Sequence, residues 1–391
     1  MKYQCNVCGH ADLQDLVTLT QIPVYCNTLF DSEEAAKSIL KADLDIKYCN
    51  HCDHIFNGAF NADHIDYMAN YDASLDYSPH FQKYAKKLAE KLISAHKLVN
   101  KTVIEIACGQ GAFLNRLAEM ADNRYVGYDP SFDNRIKLNP RVKIRAEYFG
   151  EKETTDKIDA ADVEQGDLVI CRHALEHIGQ PRGMIKNIAD SHHDRPSLDA
   201  YFEVPNALFL VRDLSIWDFI YEHVSYFSPR SLCYLFEMVG FSLNECYEAY
   251  DGQFLSLHAS LGKDEKPGLD SSRLEGSLEF IQPLRQHFDK LISKWNYFFA
   301  DSTQKTVIWG AGSKCITFLN IVENGNHIAA IVDLNPNKRG KFTAGTGHPI
   351  ISPEQLRDLK PDNVIIMNPI YRDEIEHQLR DMGLNPEIYL V

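Results

Sequence analysis

Residues 103–113, which read VIEIACGQGAF, constrain the fold of this chain more than any other segment. Their first residues predict a buried strand, and Gly109 and Gly111 then allow a tight turn that comes close to a ligand, followed by a helix. A second strand, residues 125–128, ends on Asp129, an acid that can accept hydrogen bonds from both hydroxyls of a ribose. Together these features predict a nucleoside site on a doubly wound α/β sheet.

Two details favour S-adenosylmethionine over a dinucleotide as the ligand of this turn. A dinucleotide turn usually has a third glycine that packs the helix on the strand, and Leu114 takes that place here. An acid, Glu105, lies inside the first strand, where it can meet a cationic amino-acid group or order the loop. The pattern resembles the acidic, glycine-rich loop of class I methyltransferases, with Ala107 where that family usually has its first glycine. A turn without a ligand is the alternative.

Length and composition predict two or three domains in a soluble globular protein. The chain has 391 residues, of which 45% are hydrophobic and 24% charged. It has no long apolar run and no signal peptide, so we expect a cytoplasmic protein with no membrane partner. Its ten cysteines are then thiols or metal ligands rather than disulfides. A net charge of −15 argues against nucleic-acid binding.

Two Cys-x-x-Cys pairs predict a zinc site near the N-terminus. The pairs are Cys5 with Cys8 and Cys49 with Cys52. Each pair can direct two thiolates at one ion, and four thiolates satisfy tetrahedral zinc. Because four protein ligands leave no open position, the zinc would be structural and would support residues 1–68, a segment that we expect to be rich in turns and short of core. Free surface thiols are the alternative.

Strands and helices alternate through residues 69–265, as expected for an α/β sheet. Residues 266–300 predict a linker and then a long amphipathic helix in which Pro283 is a candidate kink. Residues 301–391 repeat the first pattern, with a strand, a turn through Gly310 and Gly312, a helix and a further strand. We therefore expect a second, Rossmann-like α/β domain at the C-terminus.

This second glycine turn is not expected to bind NAD, because Cys315 stands where a dinucleotide fold needs glycine. Glycine turns and helix N-termini still favour anions, so basic residues nearby are candidate contacts for a diphosphate. These candidates are Lys314, Lys338, Arg339 and Lys341. An exposed basic loop without a ligand is the alternative.

In this order, the parts resemble the sugar C-methyltransferases of deoxysugar biosynthesis. The resemblance rests on the four cysteines, the cofactor turn with Asp129, and the segments at residues 175–178, 221–228, 307–314 and 332–350. It implies an N-terminal zinc module, a class I methyltransferase core and a C-terminal Rossmann-like domain. It also implies a small-molecule substrate, a nucleotide-linked 4-keto-deoxysugar that is methylated at C3. Cys315 and residues 343–344 and 367–369 depart from the family pattern, which bears on the substrate more than on the reaction.

Methylation of carbon requires an enolate, and the residues offer a base and donors for it. His223 can act as the base because imidazole titrates near neutral pH. Glu222 can orient a substrate group or tune His223. Three tyrosines are candidate donors to the enolate oxygen and walls of the pocket: Tyr71, Tyr77 and Tyr221. Transfer from a sulfonium depends on positioning, so no catalytic metal is expected.

The remaining candidates flank the cofactor turn in the predicted sheet. Pro130 follows the ribose acid, while His173, Glu176 and His177 follow the strand at residues 167–171. We expect His177 to close the cofactor pocket or pack the strand end rather than act as the base. Two other functions stay open, O- or N-methylation of a sugar or small metabolite and a non-catalytic binding module. The oligomeric state is also open, and a monomer is compatible with the sequence.

Overall fold

The computed structural model describes residues 3–65, 75–134, 136–149, 165–192, 197–262, 269–300, 303–323 and 325–391. Their strands form three sheets. The domain boundaries predicted near residues 68, 265 and 300 fall in or beside the gaps between these ranges, so that division stays a prediction. Tyr71 also lies outside the described residues.

The N-terminal sheet is built on a long antiparallel hairpin. Its elements are β1 (Leu13–Pro23), α1 (Glu33–Lys37), β2 (Lys41–Cys49) and β3 (Ile55–Asn57). The segment is thus far more regular than the turn-rich one expected from its cysteines. Apolar residues of the hairpin, such as Leu16 and Ile22, share one core with Trp295 and Phe318 from the C-terminal part of the chain. The core of this segment is completed by residues distant in sequence, which agrees with the expectation that the segment has too small a core of its own.

The central sheet contains seven strands with helices on both faces. Its region comprises α2 (Pro79–Ala95), β4 (Thr102–Ile106), α3 (Ala112–Met120), β5 (Arg124–Tyr128), β6 (Val142–Arg145), β7 (Leu168–Arg172), α4 (Pro181–Ser191), β8 (Leu198–Pro205), α5 (Ala207–Arg212), β9 (Ser225–Tyr226), α6 (Pro229–Glu237), β10 (Ser242–Ala249) and β11 (Phe254–Leu261). The strand order is β10-β11-β8-β7-β4-β5-β6, and β9 instead joins β3 in the N-terminal sheet. Strands β4 to β8 are parallel, whereas β11 runs antiparallel to both neighbours.

Local signals explain where the helices of this sheet begin and which faces they cover. Ser78 caps α2 and is followed by proline at the first helical position, a common start signal. Along β4, Val103 packs with α2 and α3 on one face, whereas Ile104 packs with α4 and α6 on the other. The predicted doubly wound α/β sheet is therefore confirmed.

The C-terminal sheet is fully parallel, with order β14-β13-β12-β15-β16. Its region comprises α7 (Leu278–Ala300), β12 (Thr306–Trp309), α8 (Ser313–Ile321), β13 (Ile328–Val332), β14 (Ile350–Ile351), α9 (Leu356–Leu359), β15 (Asn363–Ile366), α10 (Arg372–Asp381) and β16 (Glu387–Leu390). The helix α7 continues past Pro283 as one element. A Rossmann-like C-terminal part is thus present.

The carboxyl ends of the central and C-terminal sheets face each other. Asn368, just after β15, exchanges two side-chain hydrogen bonds of 2.9 Å with Gln253, in the turn between β10 and β11. The hydroxyls of Tyr250 and Tyr371 lie 2.7 Å apart beside them. The ligand-binding edges of two α/β sheets are therefore close together. None of the helices in the described ranges is long and apolar enough to span a membrane.

Candidate active site

The turn between β4 and α3 has the conformation that its glycines predict. Gly109 and Gly111 both have positive φ, at 55° and 82°, and a Cβ at Gly111 would overlap the end of Ile144. Ala107 also has a φ of 55°, so the turn keeps its shape although alanine pays about 1–2 kcal/mol for that conformation. The backbone N–H of Gly109 donates to Asp129 Oδ2 at 2.7 Å. The turn and the acid after β5 therefore form one unit.

Asp129 retains acceptor capacity for a ribose. Only 8% of its surface is exposed, and its Oδ1 accepts hydrogen bonds from the backbone N–H of Ser131 at 2.8 Å and from the Ser131 hydroxyl at 2.5 Å. Because a carboxylate offers roughly four lone-pair sites, room remains for a ligand hydroxyl. Pro130 lies directly after it, between β5 and Ser131.

Glu105, on β4, is the group best suited to a cationic ligand. Burial raises the pKa of Glu105 from 4.5 to about 8, an effect that Arg172, 4.0 Å away, only partly offsets. Its Oε2 is buried and has no hydrogen-bond partner within the described residues. An unpartnered buried carboxylate oxygen is costly, and an ammonium group would satisfy it. The residues of this turn thus fit the amino-acid end and the ribose of S-adenosylmethionine.

An ionic cluster beside Glu105 was missed by the sequence analysis. Glu203, on β8, is fully buried and accepts hydrogen bonds from Arg172 Nε at 3.1 Å, from Tyr201 at 3.0 Å and from Tyr84. Burial alone would raise the pKa of Glu203, but Arg172 and the ring of His173, 3.1 Å away, lower it to about 2. The sequence signal that could have identified Glu203 is an acid inside an apolar strand, the same signal that pointed to Glu105.

Next to this cluster, Glu176, His177 and His223 converge. One carboxylate oxygen of Glu176 and one ring nitrogen of each histidine all lie within 4.8 Å of one another. The rings of His177 and His223 pack edge to face, with centroids 4.8 Å apart. The structure therefore brings Glu176 and His177, predicted near the cofactor, to the predicted base.

Burial favours the uncharged form of each member of this trio near neutral pH. Burial lowers the pKa of His177 to about 4, and burial together with His177 and His173 lowers the pKa of His223 well below its usual value. Burial raises the pKa of Glu176 to about 8, and its Oε2 has no hydrogen-bond partner in the described part of the chain. His223 is partly exposed, so a neutral imidazole is accessible to a substrate.

The other predicted catalytic side chains are engaged elsewhere. Tyr221 is fully buried, and its hydroxyl accepts from the Asn61 backbone N–H at 3.0 Å. Glu222 is also fully buried, accepts from the backbone N–H of Cys26 at 2.8 Å, and has its pKa raised to about 7 by burial. Tyr77 is 38% exposed, and its hydroxyl accepts from Asn337 at 3.2 Å.

The chain matches two known families along most of its length. Residues 79–245 match the family described as a methyltransferase domain, and residues 256–385 match the C-methyltransferase C-terminal domain. The chain belongs to the S-adenosylmethionine-dependent methyltransferases. The enzyme class predicted from the cofactor turn is confirmed, as is the similarity to C-methyltransferases.

A curated relative and several solved structures are similar to this methyltransferase. The C-methyltransferase NovU of Streptomyces niveus is 26% identical over an alignment of 403 positions, which covers 95% of this chain and 91% of NovU. Magnesium protoporphyrin IX methyltransferase from Synechocystis, solved with S-adenosylhomocysteine, is 16% identical, with 46% of this chain and 84% of that chain covered and a TM-score of 0.34. A methyltransferase from Aquifex aeolicus is 13% identical, with 48% and 100% covered and a TM-score of 0.34.

The C-terminal sheet of the methyltransferase repeats the geometry of the cofactor turn. The backbone N–H of Ala311 donates to Asp333 Oδ2 at 2.8 Å, as Gly109 does to Asp129. Here, however, the buried ammonium of Lys338 lies 3.7 Å from Asp333 Oδ2 and donates to the Ala311 carbonyl at 2.9 Å. The acid of this turn is thus paired with a cation of the chain itself.

The four basic residues predicted to contact a diphosphate have different surroundings. Lys314 lies 2.9 Å from Asp218, Lys341 pairs with Asp31, and Arg339 is exposed. Lys338 is occupied as described above. An anion at this edge would therefore meet Arg339 without a competing acid, and the partly buried Lys314 and Lys341 only in competition with Asp218 and Asp31.

Four thiols at the N-terminus have the geometry of a metal site. Sγ atoms lie 3.6 Å apart both between Cys5 and Cys52 and between Cys8 and Cys49, and all four are within 4.8 Å of one another. Zinc bound to sulfur at about 2.3 Å in a tetrahedron places neighbouring sulfurs about 3.8 Å apart. The four cysteines could therefore hold zinc.

Proposed function

We propose that this enzyme transfers a methyl group to the carbon next to the ketone of a nucleotide-linked keto-deoxysugar. The observation that carries the proposal is the accessible, neutral His223 held against Glu176 and His177 beside the cofactor turn. Similarity to C-methyltransferases over most of the chain supports carbon as the acceptor.

In this mechanism His223 removes the proton from the carbon next to the ketone. The electron pair of that C–H bond moves onto the ketone oxygen, which gives an enolate. When bound, S-adenosylmethionine would supply the methyl group from its sulfonium to the enolate carbon and become the thioether, and Glu105 and Asp129 are the residues that would hold it. Glu176 lies within 4.8 Å of His223, and the ionised form of its carboxyl would stabilise the imidazolium.

The substrate is proposed to lie between the carboxyl edges of the central and C-terminal sheets. The cofactor turn belongs to the edge of the central sheet, where His223 lies beside Glu176 and His177, and the turn of Ala311 with Asp333 belongs to the other edge. Lys314, Arg339 and Lys341 are the proposed contacts of the diphosphate, whereas we assign Lys338 to the turn itself.

We also propose that Cys5, Cys8, Cys49 and Cys52 bind one structural zinc. Four thiolates leave zinc no position for a substrate or water, so the ion would support folding and take no part in the reaction. Elemental analysis should find one zinc per chain. A Cys49→Ser variant should lose it, whereas a Cys246→Ser variant, changed far outside the cluster in sequence, should retain it.

The reaction is tested by incubating the enzyme with S-adenosylmethionine and a dTDP-4-keto-6-deoxysugar in deuterated water. We expect deuterium and then a methyl group at C3, detected by NMR and mass spectrometry. His223→Asn should abolish both while the affinity for S-adenosylmethionine, measured by calorimetry, changes less than twofold. A methyl group on oxygen or nitrogen without exchange at carbon would replace the C-methyltransferase proposal by O- or N-methylation.

A further inference from the structure

Residues 221–228, which carry the proposed base, are held mainly by the N-terminal module, defined as residues 3–65. The Tyr221 hydroxyl accepts a hydrogen bond from the Asn61 backbone N–H, and it forms a second hydrogen bond, of 3.0 Å, with Nδ1 of His64. The Glu222 carboxylate accepts a hydrogen bond from the Cys26 backbone N–H. We refer to residues 221–228 as the catalytic segment.

The contacts continue along the rest of the catalytic segment. The Val224 carbonyl accepts from the Asn57 backbone N–H at 2.8 Å. Ser225 and Tyr226 form β9 and pair with β3, so that the segment is an added strand of the N-terminal sheet. The Ser225 hydroxyl also receives the side-chain amide of Asn6 at 3.0 Å. At positions 221, 222, 224, 225 and 226, therefore, a partner comes from the N-terminal module. The loop after β7 also contacts the segment, since the Glu176 carbonyl accepts from the Val224 N–H at 2.9 Å and His177 Nδ1 lies 3.0 Å from the Glu222 carbonyl oxygen.

The far end of the segment is joined directly to the second cysteine pair. Asp53 follows Cys52 and is buried with a positive φ of 62°, in the place that Gly9 occupies after the first pair. Its carboxylate accepts from the Ser228 hydroxyl at 2.5 Å and from the Ser277 backbone N–H at 2.8 Å. The side chain of Ser228 in turn caps α6. A strained backbone is retained here because three segments of the chain hold it.

We propose that the N-terminal module is a positioning element of the active site, and that His64 sets the placement of Tyr221, Glu222 and His223 by bonding to Tyr221. This inference rests on the proposed role of His223. Tyr221 is fully buried with its hydroxyl turned into the module, and it acts as a positioning residue. Glu222 is fully buried and bonded to the module through Oε2, while its Oε1 has no hydrogen-bond partner within the described residues. The cofactor turn is held through Asp129 and Ser131, so loosening the segment should spare cofactor binding.

The test compares His64→Phe with His64→Asn and with His327→Phe, a control at an exposed histidine outside the module. Asparagine places its amide nitrogen where the imidazole Nδ1 was, so it should restore the bond to Tyr221. Hydrogen exchange followed by mass spectrometry reports on peptides that cover residues 219–228 and 103–113. Calorimetry gives the affinity for S-adenosylmethionine, and steady-state kinetics separate kcat from KM.

In His64→Phe we expect exchange in residues 219–228 to quicken at least tenfold, with residues 103–113 and the cofactor affinity unchanged within twofold. The kcat should fall at least thirtyfold with a smaller change in KM, and His64→Asn should recover most of it. Tyr221→Phe should reproduce the effect, and the double variant should add little to it.

Unchanged exchange in residues 219–228, or an equal loss of cofactor affinity, would overturn the positioning role. Failure of the His64→Asn rescue would do the same, because a bond to Tyr221 would then not be what His64 supplies. The exchange and calorimetry need no sugar substrate. A wild-type enzyme that is inactive on the sugar would therefore refute the proposed function while leaving this inference to be decided by the other two measurements.

Discussion

Replacing Glu105 with glutamine should weaken cofactor binding and at the same time stabilise the free enzyme. Burial raises the pKa of Glu105 from 4.5 to about 8, so the folded protein opposes ionisation of a group that is ionised in the unfolded chain at pH 7. At about 1.4 kcal/mol per pKa unit, the resulting penalty at pH 7 is ~3 kcal/mol. It is absent below about pH 4.5 and grows until about pH 8. Glutamine has a similar shape and no charge, and removes it.

The same shift predicts how cofactor affinity depends on pH. An ammonium group binds the ionised form of Glu105, and that form becomes about ten times more abundant per pH unit below pH 8. Between pH 6 and pH 7.5 we expect the dissociation constant of S-adenosylmethionine to fall roughly tenfold per unit, with a proton released on binding. Above this range the amino group itself begins to titrate, so the comparison is confined to it.

Calorimetry at three pH values in that range, with a urea unfolding curve for each protein, measures both effects. Glu105→Gln should bind at least thirtyfold more weakly at pH 7.5, show little pH dependence, and unfold at higher urea. Glu119→Gln, at an exposed position on α3, is the matched control and should behave as the wild type. A wild-type affinity that does not change with pH, or a Glu105→Gln variant that binds normally, would refute the assignment of Glu105 to the ammonium group.

Three further predictions concern single side chains. Gly111→Ala should raise the dissociation constant of S-adenosylmethionine more than tenfold and lower the melting temperature, because an added Cβ would overlap Ile144. Gly240→Ala is the control, since Gly240 also has a positive φ but a Cβ there would meet no atom within 4 Å. It should lower stability by only about 1–2 kcal/mol and leave cofactor binding unchanged. Because the pKa of His223 is lowered, its neutral form persists below pH 6.5, and the acid limb of kcat against pH should lie below that value; a limb above pH 7 would contradict its assignment as the base. Lys338→Met should destabilise the enzyme by about 3–5 kcal/mol in urea unfolding, since it leaves the Asp333 carboxylate unpaired, and an unchanged midpoint would show that the pair is not a structural one.

The sequence was informative where the signal is local. The cofactor turn, its acid and the two cysteine pairs are patterns of a few residues whose geometry follows from φ angles and ligand spacing. The structure shows Gly109 bonded to Asp129, and it brings the four thiols together. The N-terminal hairpin was missed because its apolar side chains are satisfied by α7 and α8, far along the chain.

The sequence by itself determined that the chain has a nucleoside turn with an acid on each of two successive strands, and hence the cofactor and the class of enzyme. Only the tertiary structure decided what surrounds His223. Glu176 reaches it from the loop after β7, while Tyr221 and Glu222 turn away into a module that precedes them by more than a hundred residues. The spacing of residues along a strand or turn fixes local geometry, but the desolvation and hydrogen bonds that set the pKa of a buried group come from segments that only folding brings together.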